Sequence, residues 1–127
     1  MDGQQQITIR PMGAADVTDA DALAWASLSP LWPQELQPED GPVRRDRGQR
    51  RIAHLLATDP GGAWVAEDPA GGLVGVANAL VRDGLWLLSL LAVAPGQQGR
   101  GVGVRLLECA LSVAGRDGAR LVMSSHD

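Results

Sequence analysis

Residues 85–115, LWLLSLLAVAPGQQGRGVGVRLLECALSVAG, constrain this chain more than any other stretch. The first nine positions are apolar except Ser89, which predicts a strand in the centre of a sheet, buried on both faces. Pro95 prevents the strand from continuing. Four glycines then fall in the eight positions after that proline. Gly103, Leu106, Leu107, Ala110, Leu111 and Ala114 follow at helical spacing, and Gly115 and Gly118 bracket the end of that helix. The order is strand, glycine-rich turn, helix over 101–115.

Such a turn has a chemical use. Glycines let the backbone bend freely and let a ligand come close to the main chain. The first N–H groups of the helix lack intrahelical partners and carry partial positive charge. The first acid after the turn is Glu108, and Arg100 adds a cation, so an anion such as pyrophosphate suits the site. Two common phosphate motifs do not match. Gly96 and Gly101 have the P-loop spacing, but Val102-Gly103 stands where Lys-Ser/Thr is needed. Gly99-Arg100-Gly101-Val102-Gly103-Val104 lacks the third glycine of a dinucleotide fingerprint.

The remaining chain sets this unit in context. The first five residues are expected to be unstructured. Residues 7–10 alternate as a short strand closed by Pro11. Residues 13–29 read as a helix capped by Asp16, with Val17, Ala20, Leu23, Ala24 and Leu28 at core spacing. Pro30, Pro33 and Pro38 mark a loop whose Leu31, Trp32 and Leu36 are too apolar for full exposure. Residues 43–58 form a second helix, with Ile52, Leu55 and Leu56 inward and arginines around the rest. Strands over 63–68, 73–82 and 85–93 follow as an antiparallel meander, the last two joined by the hairpin signal Asp83-Gly84. Gly75, inside a strand, indicates a bulge or a close backbone approach. A last strand over 121–124 after the helix would pair in parallel. The fold class is α+β: a mixed, mostly antiparallel sheet with helices on both faces, in one domain over 1–127. An antiparallel meander ahead of the turn also argues against a βαβ dinucleotide fold.

Composition excludes several classes. The net charge of −4 argues against non-specific nucleic-acid binding. All eleven basic residues are arginine, and five of them lie within residues 43–51. That cluster is either a solvated helix face or a site for an anionic substrate or a cofactor tail. Cys109 is the sole cysteine, so no disulfide forms within the chain, as suits a reducing cytosol. The polar start MDGQQQ is unlike a signal peptide, and residues 85–93 are too short to span a bilayer. A cytoplasmic protein with no membrane or nucleic-acid partner and no metal is expected.

Gln98-Gly99-Arg100-Gly101-Val102-Gly103, after a strand ending Leu91-Ala92-Val93-Ala94-Pro95, resembles the Q/R-x-x-G-x-G/A motif of the GCN5-related N-acetyltransferase (GNAT) superfamily. The element order agrees over nearly all of the chain. The resemblance implies a GNAT-like acyl-CoA N-acyltransferase fold that binds acetyl-CoA or another acyl-CoA as co-substrate. It places the pyrophosphate on the backbone of Gln98, Gly99, Arg100, Gly101, Val102 and Gly103. The pantetheine arm would pair with the strand at Leu91, Ala92 and Val93, and an N–H near Leu91 would serve the acyl oxygen. The implied reaction is direct attack by an amine, from a small molecule or a protein, on the thioester.

The chain also departs from that family. A glutamate base found in some members corresponds to Leu87, and the tyrosine acid of many members has no counterpart, since the chain has no Tyr. Glu67 and Ser89 are the remaining weak candidates for catalysis, beside Asp68. Trp32 is a candidate for the acceptor pocket, and with the arginine-rich helix it hints at an acidic or aromatic-bearing substrate. Trp25, Trp64 and Trp86 are assigned to packing, and His54 and Cys109 to structure. His126-Asp127 falls where the family often has an Asn near the cofactor, or is a frayed end. The C-terminal helix and final hairpin of the family are missing, so a longer polypeptide or a homodimer covering the sheet edge is expected. The alternative to an enzyme is a non-catalytic acyl-CoA-binding module.

Overall fold

A computed structural model of the chain describes residues 6–37, 39–117 and 120–122. The expectations for residues 1–5, for 123–124, and for His126 and Asp127 lie outside these. Among the described residues five strands form one sheet in the order of the chain. They are β1 (Thr8–Pro11), β2 (Ala63–Glu67), β3 (Leu73–Arg82), β4 (Leu85–Val93) and β5 (Arg120–Val122). The first four pair antiparallel, and β5 runs parallel to β4. The α-helices among the described residues are α1 (Val17–Leu28), α2 (Pro42–Thr58) and α3 (Val102–Asp117). This is the expected mixed, mostly antiparallel α+β architecture.

The two faces of the sheet carry separate cores. Against one face, α3 packs Val102, Leu106, Ala110 and Ala114 onto Ala66, Ala77, Ala79 and Trp86. Against the other, α1 and α2 pack Val17, Ala20 and Ile52 onto Val65, Val76, Leu90 and Ala92. Trp86 is fully buried, and its indole N–H donates to the Ala110 carbonyl at 3.0 Å, which fixes β4 beneath α3. Gly75 lies under the same helix. A Cβ there would come within 2.7 Å of Leu106 Cδ1, so the anticipated close approach is real. It also adjoins a bulge: Ala66 pairs with Gly75 but Glu67 with Leu73, leaving Val74 as the extra residue.

Several local expectations change. Pro11 belongs to β1 instead of closing it, opposite Trp64, which an edge strand tolerates because no ladder N–H is needed there. Asp16 does not cap α1 with its side chain. Its carboxylate accepts the Gly13 N–H at 2.7 Å, closing a 3-10 turn, and both Arg10 amino groups at 2.8 and 2.9 Å. These Arg10 bonds come first, and with the Gly13 bond they outweigh partial burial to hold the Asp16 carboxyl below its ordinary value. Leu28 is exposed, as are Leu31, Trp32 and Leu36, because the two 3-10 turns at Ser29–Leu31 and Gln34–Leu36 ride over the surface with no buried residue. Asp83 and Gly84 both take positive φ, as a tight hairpin with matching twist requires.

β4 is not buried on both faces. Leu85 and Ser89 are exposed, and only Trp86, Leu90 and Ala92 are fully inside. The reason is a bulge: Asn78 pairs with Leu90 but Ala79 with Leu88, so Ser89 is inserted without a partner. Before it, Trp86 and Leu88 face α3; after it, Leu90 and Ala92 face α1 and α2 while Leu91 and Val93 face α3. The one polar residue of this run, Ser89, sits at the switch, but a single serine among leucines does not by itself distinguish a bulge from an ordinary strand position.

Leu106→Ala should cost about 2–5 kcal/mol through lost burial and a residual cavity, read as a lower urea midpoint. The Asp16–Arg10 pair sets an acid limit. Because the folded carboxyl lies below its ordinary 3.8, its stabilisation is complete above that pH and is lost as pH falls through the lower folded value. Thermal melts from pH 6 to pH 2 should show wild type more stable than Asp16→Asn at the top of that range, with the gap closing below about pH 4.

Candidate functional site

The glycine-rich turn connects β4 to α3. A single 3-10 turn, Pro95–Gln97, is closed by the Gln97 N–H on the Ala94 carbonyl at 2.8 Å. Gly99 and Gly101 then take φ of +85° and +80°, a region that side chains rarely enter. Nothing lies within 4 Å of a Cβ built at Gly96, Gly99 or Gly101, so their outer face is open. The Arg105 N–H bonds to the Gly101 carbonyl at 3.1 Å and starts the α3 ladder. Helix geometry leaves the N–H groups of Val102, Gly103 and Val104 without intrahelical acceptors. The first turn of α3 has no acid, and Arg100 is exposed with no ion pair among the described residues. Val102 plays a second part: its side chain is in the core, so only its main chain is available at the turn.

β4 meets this turn with one edge unpaired. β5 pairs only with Leu85, Trp86 and Leu87, so among the described residues Leu88 through Val93 lack a strand neighbour on that side. The Ala94 N–H donates to the Val74 carbonyl at 2.8 Å, which sets the phase of the ladder. By antiparallel alternation Ala92 and Leu90 also bond inward to β3, while the main-chain groups of Leu91 and Val93 point to the open edge. Gln98 already uses one of them, its Nε2 donating to the Val93 carbonyl at 3.2 Å. The structure thus brings Leu91, Val93 and residues 98–103 together, with Ala92 turned away into the α1–α2 core.

The weak catalytic candidates do not join them equally. Ser89 is the exposed bulge residue of β4. Glu67, two strands away on β2, accepts a hydrogen bond from Arg10 Nε at 3.0 Å. Asp68 closes the β2–β3 turn by accepting the N–H groups of Ala70 and Gly72 at 2.9 and 3.1 Å. Leu87 is half-buried beside β5. Among the described residues no group of three or more His, Cys, Asp or Glu could hold a metal, and no helix is long and apolar enough to cross a membrane.

A second feature lies on the opposite face of the sheet. A cavity of about 530 Å³ opens between α1, α2 and β4, lined among others by Asp21, Trp25, Trp32, Arg44, Arg47 and Leu90. Trp32 is half-exposed there, and Trp25, assigned to packing by sequence, lines the cavity and stacks on Arg44 with 4.5 Å from guanidinium to ring. Arg44 is not a solvated cation. It donates to both Asp21 oxygens at 3.1 and 2.6 Å and to Asp40 at 2.9 Å. Asp21 is buried at 4% exposure. Sequence reasoning missed it because an acid early in a helix reads as ordinary dipole compensation. Gly48 makes the pair possible, since a Cβ at that position would collide with Asp21 Oδ1. Asn78, also missed, is buried opposite Leu90, and neither of its amide atoms has a hydrogen-bond partner among the described residues.

The sequence matches the model of the acetyltransferase (GNAT) family over residues 19–126. The chain belongs to the GNAT acetyltransferase family. No curated protein matches it. Solved structures share the fold at low identity. An N-acetyltransferase, PaiA, of Thermoplasma acidophilum, determined with coenzyme A, has a TM-score of 0.77 at 15% identity over 94% of this chain and 79% of its own. A GNAT acetyltransferase of Brucella melitensis, determined with acetyl-CoA, has a TM-score of 0.67 at 21% identity over 95% of this chain and 77% of its own. A Pyrococcus horikoshii protein described as a candidate acetyltransferase has a TM-score of 0.69 at 20% identity over 88% of this chain. The chain spans only 36% of the length of that last protein.

Gly48→Ala tests how far the cavity depends on the buried pair. It should displace Asp21 from Arg44 and destabilise the fold by about 1–3 kcal/mol, despite the higher helix propensity of alanine. Chemical denaturation of the variant beside the exposed control Ala53→Gly separates the steric effect from propensity.

Proposed function

We propose that this chain is an acyl-CoA-dependent N-acyltransferase domain that binds acetyl-CoA at the β4–α3 turn and passes its acetyl group to an amine. One observation carries the reading: in a GNAT-family chain, the open β4 edge at Leu91 and Val93 runs directly into a turn with two positive-φ glycines and unpaired helix N–H groups. The site passes a simple test of fit. The open space outside Gly96, Gly99 and Gly101 admits a phosphate to the backbone, and no carboxylate in the first turn of α3 opposes it. The structures determined with acetyl-CoA and coenzyme A share this fold, which supports the same ligand class here.

In this reading the N–H groups from Gln98 through Val104 hold the pyrophosphate, and Arg100 adds a mobile cation. Leu91 and Val93 pair through their main chain with the amides of the pantetheine arm, and Gln98 yields the Val93 carbonyl to it. Bound acetyl-CoA supplies an activated acetyl thioester. The Leu91 N–H, fixed by the β3–β4 ladder, donates to the acyl oxygen and needs no rearrangement to do so. Ser89, exposed at the bulge, is the one polar side chain on β4 placed to relay a proton. Glu67 is engaged by Arg10 and two strands away, and so acts in the same step only through water.

A second reading, binding without transfer, is favoured by that same poverty of side-chain chemistry on β4. Calorimetric titration with acetyl-CoA tests the shared premise. Wild type should bind, and Gly101→Glu should abolish binding by placing a side chain and a negative charge at a φ of +80°. Absence of binding to the folded wild type overturns both readings. Release of free thiol with a panel of amines then separates the enzyme from the binder.

A further inference from the structure

The cavity between α1 and α2 is not explained by the turn, and its charges are unusual. On the outer side of α2, Arg50 pairs with Asp46 at 2.9 Å, one helical turn apart. On the cavity side, Arg44 is neutralised by Asp21 and Asp40. Arg47 and Arg51 also line the cavity, yet neither has a carboxylate partner among the described residues. They stand four residues apart on one helix face, where like charges repel and destabilise the helix. A chain with fifteen acids and a net charge of −4 nevertheless leaves both uncompensated. The Asp21–Arg44 pair explains how they stay free: the one acid buried in this cavity is already saturated. Around the two cations the wall is apolar, formed by Trp25, Leu28, Trp32 and Leu90. Its volume of about 530 Å³ is that of a site for one small molecule. Leu90 also connects the cavity to the chemistry, because the next residue, Leu91, presents its main chain to the open edge of β4.

We infer that this cavity is the acceptor site and that the acceptor is an amine bearing a carboxylate on an apolar body. The carboxylate binds Arg47 and Arg51, and the body lies against Trp25, Leu28 and Trp32. The amine is thereby directed past Leu90 toward the thioester. This rests on the acyltransferase reading above. The ammonium loses a proton to solvent, and its nitrogen forms the new bond to the acyl carbon. The carbon–sulfur bond breaks with its electron pair on sulfur, and a second proton leaves the nitrogen as the amide forms. The thiolate takes up one proton as free thiol.

The test compares matched pairs that differ only in the carboxylate: L-phenylalanine with phenethylamine, L-tryptophan with tryptamine, and L-leucine with isoamylamine. Binding to the full chain is measured by calorimetry and by tryptophan fluorescence, with and without saturating acetyl-CoA. At least one carboxylated member should bind about tenfold tighter than its partner, the effect of a charge-assisted contact. Arg47→Gln combined with Arg51→Gln should reduce that preference to about twofold or less. Arg47→Lys combined with Arg51→Lys should keep most of it. Melting temperature and acetyl-CoA affinity confirm that the variants fold. Acetyl-CoA binding with no carboxylate preference in any pair overturns the inference and spares the acyltransferase reading. A preference that survives the double glutamine variant overturns it as well, as does tighter binding of O-phosphoethanolamine than of every carboxylated amine. A carboxylate preference without acetyl-CoA binding overturns the acyltransferase reading, and with it the acceptor role, and leaves the cavity as a binding site for a carboxylated amine.

Discussion

β4 is paired with β3 at every residue but Ser89 on one side and, among the described residues, with β5 over three residues on the other. Everything distinctive about the molecule depends on that unequal pairing. Pairing of residues 90–93 with β3 fixes the phase of the ladder there and so decides which main-chain groups turn outward. Short pairing with β5 leaves those groups, among the described residues, without a strand neighbour where the chain enters the glycine-rich turn. Trp86, buried and bonded to the Ala110 carbonyl, anchors the paired half under α3, so the open half is held on a rigid base.

The bulge at Ser89 separates the two halves and exchanges their faces. With the bulge absent and every residue of β4 paired in turn, Leu90 would continue the row that faces α3, and Leu91 would face the α1–α2 side. With it, Leu90 lies on the α1–α2 side and floors the cavity there. One inserted residue therefore places an apolar cavity on one side of the strand and an open main-chain edge beside the turn. In a sheet this small, the two proposed ligands can then approach a single strand from different directions.

Electrostatics divide in the same way. The turn attracts an anion through N–H groups and one exposed arginine, with no buried charge required. The α1–α2 cavity depends on the pair of buried Asp21 and partly buried Arg44, for which the missing side chain at Gly48 makes room. Breaking such a pair from one side leaves an uncompensated charge, a larger penalty than the pair's own net contribution. That pair organises the cavity and leaves the neighbouring arginines available.

By itself the sequence determined the element order, the fold class and the position of the glycine-rich turn. These are local matters: Asp83-Gly84 can make a tight hairpin wherever it occurs, and the apolar stripe of α3 repeats at helical spacing in any context. The spacing from Gln98 to Gly103 likewise carries the motif without reference to the rest of the fold. Tertiary structure alone decided three things. It located the bulge at Ser89, which the sequence cannot reveal because one serine in an apolar strand is equally compatible with regular pairing. It showed that Asp21 and Arg44 are bound partners rather than surface charges, since they lie 23 residues apart and Gly48 must make room for them. It selected Arg47 and Arg51 from a cluster of five arginines, because Arg44 and Arg50 are paired with acids and Arg45 does not line the cavity.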